Sequence, residues 1–223
     1  MSDKVAISDR VRRDDPAGAI SEHAVVRAYG YKLFSALFAE PPSASTMDLA
    51  ASEETAEVLS SLIDSGELDS YRCEVEGWTR LGADAREAWL DRQEGVFNKL
   101  FVGPGHLVAP PWESVYSSED GLLFQQETLD VRGFYRRSGL AVPEQRRQAD
   151  DHIAFELDYM FHEAVRDDAE SLDAQRRFVN AHLLAWVPLF VERMRGAGSG
   201  FYATVGGALL AFLKADARWL ATA

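Results

Sequence analysis

From Ser21 onward the apolar residues of this chain recur at three- and four-residue intervals, segment after segment, without a convincing one-for-one alternation. Such spacing buries one face of an α-helix and gives no basis for a sheet. Ser21 can act as an N-cap, after which Val26, Tyr29, Leu33, Phe34, Leu37 and Phe38 share a face until Pro41 and Pro42 stop the helix. The same reading predicts helices over 47–63, 68–75 and 84–101, the last ended by Gly103-Pro104. A further helix is capped by Ser117 or Ser118, carries Glu119 and Asp120 in its first turn, and is closed by Gly139 and Pro143. Residues 150–165, 171–194 with a kink at Pro188, and 201–220 complete the set. The expected fold is all-α, a helical bundle of roughly eight helices with no internal repeat. Residues 1–20 lack periodicity and read as an unordered tail. The polar, Pro143-interrupted stretch 140–149 reads as a hinge between a larger N-terminal helical part, 21–139, and a smaller C-terminal part, 150–223.

Charge narrows the partners. The chain has 23 Lys and Arg against 36 Asp and Glu, a formal net charge of −13 spread over many segments. Nucleic acid is an unsuitable partner, because phosphate binding needs a basic face from which counterions are released. A basic peptide or protein would be attracted instead, although the same charge also serves simple solubility. The single Cys73 excludes an internal disulfide framework and fits a reducing, cytoplasmic setting. Arg12-Arg13 is followed by Asp14, Asp15, Pro16 and Gly18 rather than an apolar run, so the pair is not read as an export leader. No segment has the apolar length of a bilayer span, and no stable membrane insertion is expected.

Catalytic and metal chemistries find no support. A carboxylate-bridged metal bundle needs Glu-x-x-His pairs, yet the residues three before His23, His106, His152, His162 and His182 are Ile20, Gly103, Ala149, Tyr159 and Val179. Asp158 and His162 lie one turn apart, a spacing far commoner for a helical ion pair than for a metal. No Gly-Lys pair exists for a phosphate loop, Gly-x-Ser-x-Gly is missing, and Cys73 carries no local basic or histidine signature that would argue for an activated thiolate. Neither a cofactor nor an enzymatic activity is expected. Asp150 and Asp151 are placed to cap the helix that follows, and His152 beside them is the group expected to titrate near neutral pH.

The stretch Phe97–Tyr116 holds two Gly, three Pro and four aromatics, Phe97, Phe101, Trp112 and Tyr116, and cannot be one continuous helix. Phe97, Leu100 and Phe101 stand at i, i+3 and i+4, which is the spacing of a core face. Trp112 and Tyr116 follow Pro110-Pro111 in or beside a loop, where aromatic faces commonly remain accessible, and Glu113 adds an acceptor. An apolar groove with carboxylates around it suits a hydrophobic, arginine-bearing peptide.

Three marks in this order, Phe97-x-x-Leu100-Phe101-x-Gly103-Pro104, Pro110-Pro111-Trp112-Glu113-Ser114-Val115-Tyr116, and Asp151-His152-Ile153 followed by Glu156-Leu157 and Met160, carry a resemblance. From about residue 21 the chain resembles the TorD/DmsD/NarJ family of cytoplasmic chaperones for molybdenum-containing redox enzymes. The resemblance implies an all-helical fold, a monomer or a helix-swapped dimer, and binding of the twin-arginine signal peptide of a molybdoenzyme or its apo catalytic subunit. Export would be held back until the cofactor is inserted. Carried over by position, the client-binding surface would comprise Phe97, Phe101, Pro111, Trp112, Tyr116, Asp151 and His152. Glu113 joins it as a partner for the leader's arginines together with Asp151, while the aromatics take its apolar run. The chain departs from the family in having Gln148-Ala149-Asp150 where a Glu-Pro pair is frequent, and Gly105 where some members carry an aromatic. Two alternatives stay open: a NarJ-like assembly chaperone for a nitrate-reductase-type subunit that reads no leader, and, more remotely, a helical metal protein or enzyme.

Overall fold

The computed structural model describes residues 8–9, 20–103, 107–117, 126–142, 148–198 and 200–223. Among these residues the fold is all-α apart from one two-residue ladder. The helices are α1 (Glu22–Ala39), α2 (Ala44–Ala50), α3 (Glu53–Leu62), α4 (Gly66–Thr79), α5 (Ala83–Phe97), α6 (Ser114–Ser117), α7 (Gln126–Arg137), α8 (Ile153–Arg166), α9 (Ala169–Phe178), α10 (Leu184–Gly196) and α11 (Phe201–Leu220). The ladder pairs β1 (Ser8–Asp9) with β2 (Leu140–Ala141) in antiparallel register, Ser8 opposite Ala141 and Asp9 opposite Leu140.

Local sequence explains most boundaries. Ser21 caps α1, its Oγ accepting from Ala24 N–H at 3.2 Å. The helix expected over 47–63 is two, because Ser52 accepts from Thr55 N–H and starts α3 anew after α2 ends at Ala50. The helix expected over 171–194 is also divided. Its break is a π-helical turn, Val179–Leu183, and α10 continues through Pro188 to Gly196. A second π-helical turn, Asn98–Val102, prolongs α5 and is closed by the Gly103 N–H donating to the Asn98 carbonyl at 2.7 Å. A Cβ at position 103 would stand 3.2 Å from that carbonyl, which favours glycine there. Gly139 ends α7 at φ 75°, a left-handed conformation that glycine adopts without a Cβ penalty.

Some expectations need amendment or lie outside the described residues. The unordered tail does not include Ser8–Asp9, whose ladder is too short to register as alternation in the sequence. Most of that tail, Pro104, Gly105, the proposed first turn at 118–120 and Pro143 fall outside the described residues. Among the described residues no helix is long and apolar enough to cross a membrane.

One buried core draws on both sides of residues 140–149. Phe38, Phe97, Phe101, Phe190 and Tyr202 form an aromatic cluster within it, with ring centroids 6.0 Å apart for Phe38–Phe101 and 5.2 Å for Phe101–Tyr202. α1 packs along α8, and α11 lies against α4 and α10. A buried polar knot fixes α1 to α11 and α9. The Arg27 guanidinium pairs with Asp216 and donates to Gln175 at 2.6 Å, while Tyr31 donates to Asp216 at 2.6 Å. Asp216→Ala would leave the buried guanidinium uncompensated, and a loss of ~3–5 kcal/mol is expected in urea unfolding. The double variant Arg27→Met/Asp216→Leu is expected to recover most of it; an equal loss in both would assign the effect to packing rather than charge.

Candidate functional site

The two motif segments are stitched together through their backbones. Trp112 and His152 form an antiparallel bridge, Glu113 N–H donates to Asp151 C=O at 3.0 Å, and Ile153 N–H donates to Pro111 C=O at 2.9 Å. Asp151 completes the joint with its side chain. One carboxylate oxygen accepts from Ser114 N–H at 2.8 Å, at the start of α6, and the other accepts from Thr128 Oγ1 at 3.0 Å on α7. Asp150 reaches α7 as well, its carboxylate taking Arg132 and its carbonyl accepting from Tyr135 Oη at 2.9 Å.

This geometry corrects several placements inferred from sequence. Asp150 and Asp151 do not cap α8, since their oxygens serve α6 and α7. His152 is the N-cap, its Nδ1 accepting from Ala154 N–H at 3.2 Å, which places the proton of the neutral ring on Nε2. Nor is His152 a near-neutral titrating group: burial pushes its pKa down to about 3. Glu113 and Asp151 are not open acceptors for an incoming arginine, being 2% and 0% exposed with partners inside the protein. Phe97 and Phe101 belong to the core at 4% and 3% exposure, and Pro111 is buried too. Of the Pro110–Tyr116 loop, expected to be an exposed contact, Trp112 and Tyr116 retain only partial exposure. Tyr116 stacks on Trp186 at 5.3 Å with Arg193 over its ring at 4.5 Å, and Trp112 meets the His152 ring edge-on at 5.7 Å.

A cleft of about 500 Å³ opens beside this joint. One wall is α7, with Glu127, Asp130, Phe134 and Arg137; the other is the π-helical turn and α10, with Ala181, His182 and Ala185; Glu113 lines it as well. The Arg137 guanidinium lies 4.4 Å from the Phe134 ring centroid, so this wall already stacks one guanidinium on an aromatic face. Behind the cleft is a buried polar cluster. Glu113 Oε2 and His182 Nδ1 are 2.8 Å apart, and Trp186 Nε1 donates to Glu156 Oε2 at 3.1 Å. Burial raises the Glu113 pKa against the opposing hydrogen bond from His182. Burial, reinforced by the Glu113 carboxyl, holds Glu156 well above the ordinary carboxylate range. Glu127 and Asp130 had no role in the sequence reading, Glu156 entered it only within the family mark, and His182 only in the search for metal-binding pairs. The partners of Glu113 and His182 stand 69 positions apart, and no local pattern marks such a pair. Among the described residues, no group of three or more His, Cys, Asp or Glu could hold a metal ion.

A sequence model of the nitrate reductase delta-subunit family matches residues 52–192. The chain is 32% identical over 209 residues to the chaperone protein TorD of Aliivibrio fischeri, covering 87% of this chain and 94% of the relative. It is 29% identical to TorD of Vibrio parahaemolyticus with the same coverage, and 30% identical over 204 residues to TorD of Vibrio cholerae, covering 87% and 91%. The chain belongs to the TorD/NarJ family. This is a family of maturation chaperones for molybdoenzymes, a role without catalysis. In TorD/NarJ terms, the motif that carries the resemblance is in this chain a pinned joint between α6, α7 and α8.

Two measurements test the joint. The His152 Cε1 proton should hold a constant NMR shift from pH 5 to 8; a titration near the ordinary 6.5 would contradict its burial. Because Glu156 binds its proton more tightly folded than unfolded, stability falls as pH rises from ~4.3, the ordinary carboxylate value, through the raised one. Glu156→Gln keeps an acceptor for Trp186 and cannot ionise, so its stability relative to wild type should grow between pH 5 and 8 in urea titrations. Parallel pH profiles for the two proteins would exclude this account.

Proposed function

We propose that this chain is a cytoplasmic chaperone that binds the twin-arginine signal peptide of a molybdoenzyme catalytic subunit of the DMSO/TMAO reductase type, delaying export until the cofactor is inserted. Family membership supports the client class, and one observation carries the mode of binding: the α7 cleft sets Glu127 and Asp130 beside Phe134. A leader arginine takes a carboxylate at its fork and an aromatic at its face; the face contact is of the kind Arg137 makes with Phe134. The leader's apolar run lies on the partly exposed rims of Trp112 and Tyr116 and on exposed Leu129 and Leu189. Of the eight residues inferred from sequence, Glu113 lines the cleft, whereas Phe97, Phe101, Pro111, Asp151 and His152 serve by holding its walls in place.

Calorimetry with a twin-arginine leader peptide tests the proposal. Glu127→Gln/Asp130→Asn is expected to weaken binding about tenfold, ~1.4 kcal/mol. A Lys-Lys leader should also bind less well, since an ammonium lacks the fork. Equal heats for the Arg-Arg, Lys-Lys and scrambled leaders would rule out leader recognition. A second reading is favoured by the description of the matching family, nitrate reductase delta subunit: assembly of a catalytic subunit without leader recognition. Co-purification of the client with and without its N-terminal segment separates the two.

A further inference from the structure

Two carboxyls meet beneath the α7 cleft with too few donors between them. Glu156, on α8, is fully buried; Trp186 Nε1 donates to its Oε2 at 3.1 Å, while its Oε1 is buried without a hydrogen-bond partner. Glu113 lines the cleft, and its Oε2 is 2.8 Å from His182 Nδ1. The Glu113 and Glu156 carboxyls are close enough to hydrogen-bond each other. Ionised carboxylates only accept, so this contact needs a proton on one of the two. The same proton supplies the donor that Glu156 Oε1 lacks.

The groups around the pair hold this proton in place. Asp151 at the joint and Glu127 on α7 add negative charge, and Tyr135 on α7 faces Glu156 as a neutral phenol. His182 is the imidazole that faces the pair, and it is matched to Glu113. Arg137 borders the cleft but lies on the Phe134 ring. Burial raises the Glu113 pKa, the His182 hydrogen bond opposes the rise, and the charges of Asp151 and Glu127 add to it. Glu127 lines the same cleft, half-buried, and so connects its accessible wall to the buried pair. A cation that neutralises Glu127 removes part of the field that retains the proton, and its own charge acts on Glu113 in the same direction.

We propose that Glu113 and Glu156 share one proton beneath the α7 cleft and that a guanidinium seated on Glu127 and Asp130 expels it, so that the client is gripped more tightly as pH rises. The proton is bound in the free protein and absent from the complex, and raising the pH therefore favours the complex. The link to a client rests on the leader-binding reading above, whereas the shared proton does not. Infrared spectra of the full chain test the proton first, through the C=O stretch of a protonated carboxylic acid at neutral pH. The wild type should show a component that Glu156→Gln lacks; the buried Glu163 carboxyl is common to both and cancels in the difference. Equal spectra overturn the proposal. In Glu127→Gln the same component should titrate away at lower pH than in the wild type, and an unchanged midpoint overturns the coupling even if Glu156→Gln fails to fold. An N-acetylated twin-arginine leader without His or acidic residues is then titrated calorimetrically from pH 5 to 8 in buffers of different ionisation enthalpy. Release of up to about one proton per leader is expected, with affinity rising by up to about tenfold per pH unit, and both should vanish in Glu156→Gln. Binding without release, or equal release from the variant, overturns the linkage. If no leader binds, the functional reading fails, and the infrared midpoints alone decide the shared proton and its coupling to Glu127.

Discussion

Asp151 is the side chain on which the arrangement of the cleft depends. It is fully buried, and each of its oxygens is spent on a different helix, one on the first amide of α6 and one on Thr128 of α7. A buried carboxylate without partners would be costly, so the Pro-rich loop, α6 and α7 are held at the position that satisfies it. The backbone bridge between Trp112 and His152 adds direction to that constraint, because Pro111, Glu113 and Ile153 must keep ladder geometry. The wall carrying Glu127, Asp130 and Phe134 is thereby set before any ligand arrives. A preset wall lowers the ordering cost of binding.

The acidic groups separate by environment into two sets. Glu113 and Glu156 lie in the interior with His182 and Trp186, where desolvation favours their protonated forms. Asp216 and Asp151 are also buried but have full sets of donors, Arg27 and Tyr31 for one, Ser114 and Thr128 for the other. Glu127, half-buried, and Asp130, exposed, line the cleft from α7. This last pair can meet an incoming cation without dismantling the joint, Asp130 giving up at most its contact with Gln126 Nε2 at 2.8 Å. The net charge of −13 acts at longer range, drawing a basic segment toward the surface before any contact forms.

The helices were largely legible because a 3.6-residue period is a local property, and Ser21, Gly103 and Gly139 each mark an end by their own chemistry. The π-helical turns were not, since one wider turn leaves Phe97, Leu100 and Phe101 facing inward as an ordinary α-helix would. The break at Ser52 was overlooked although the residue is a good cap, because the flanking residues continue a helical pattern on both sides. Long-range partnership was beyond reach. Asp151 looked like an N-cap for the helix beside it, whereas its partners lie 37 and 23 positions away. His152 likewise looked titratable, since a sequence gives the imidazole but not the burial that keeps it neutral. The family motif was readable as a pattern, but its residues turn out to work mostly inward.

That inward role is consistent with what a chaperone must do. A client held by buried ion pairs would release slowly, because each pair left without its partner costs several kcal/mol, ~3–5 by analogy with buried bridges elsewhere. Solvated carboxylates such as Glu127 and Asp130 contribute less per contact, ~0–1 kcal/mol for an exposed pair, and are screened by salt. Affinity built from a few such contacts and an apolar rim is reversible and can be cancelled by a competitor of the same chemistry. In the proposed leader-binding reading the buried carboxylates fix the shape of the cleft while the exposed ones decide occupancy, and substitutions in the two sets should separate into effects on stability and effects on binding.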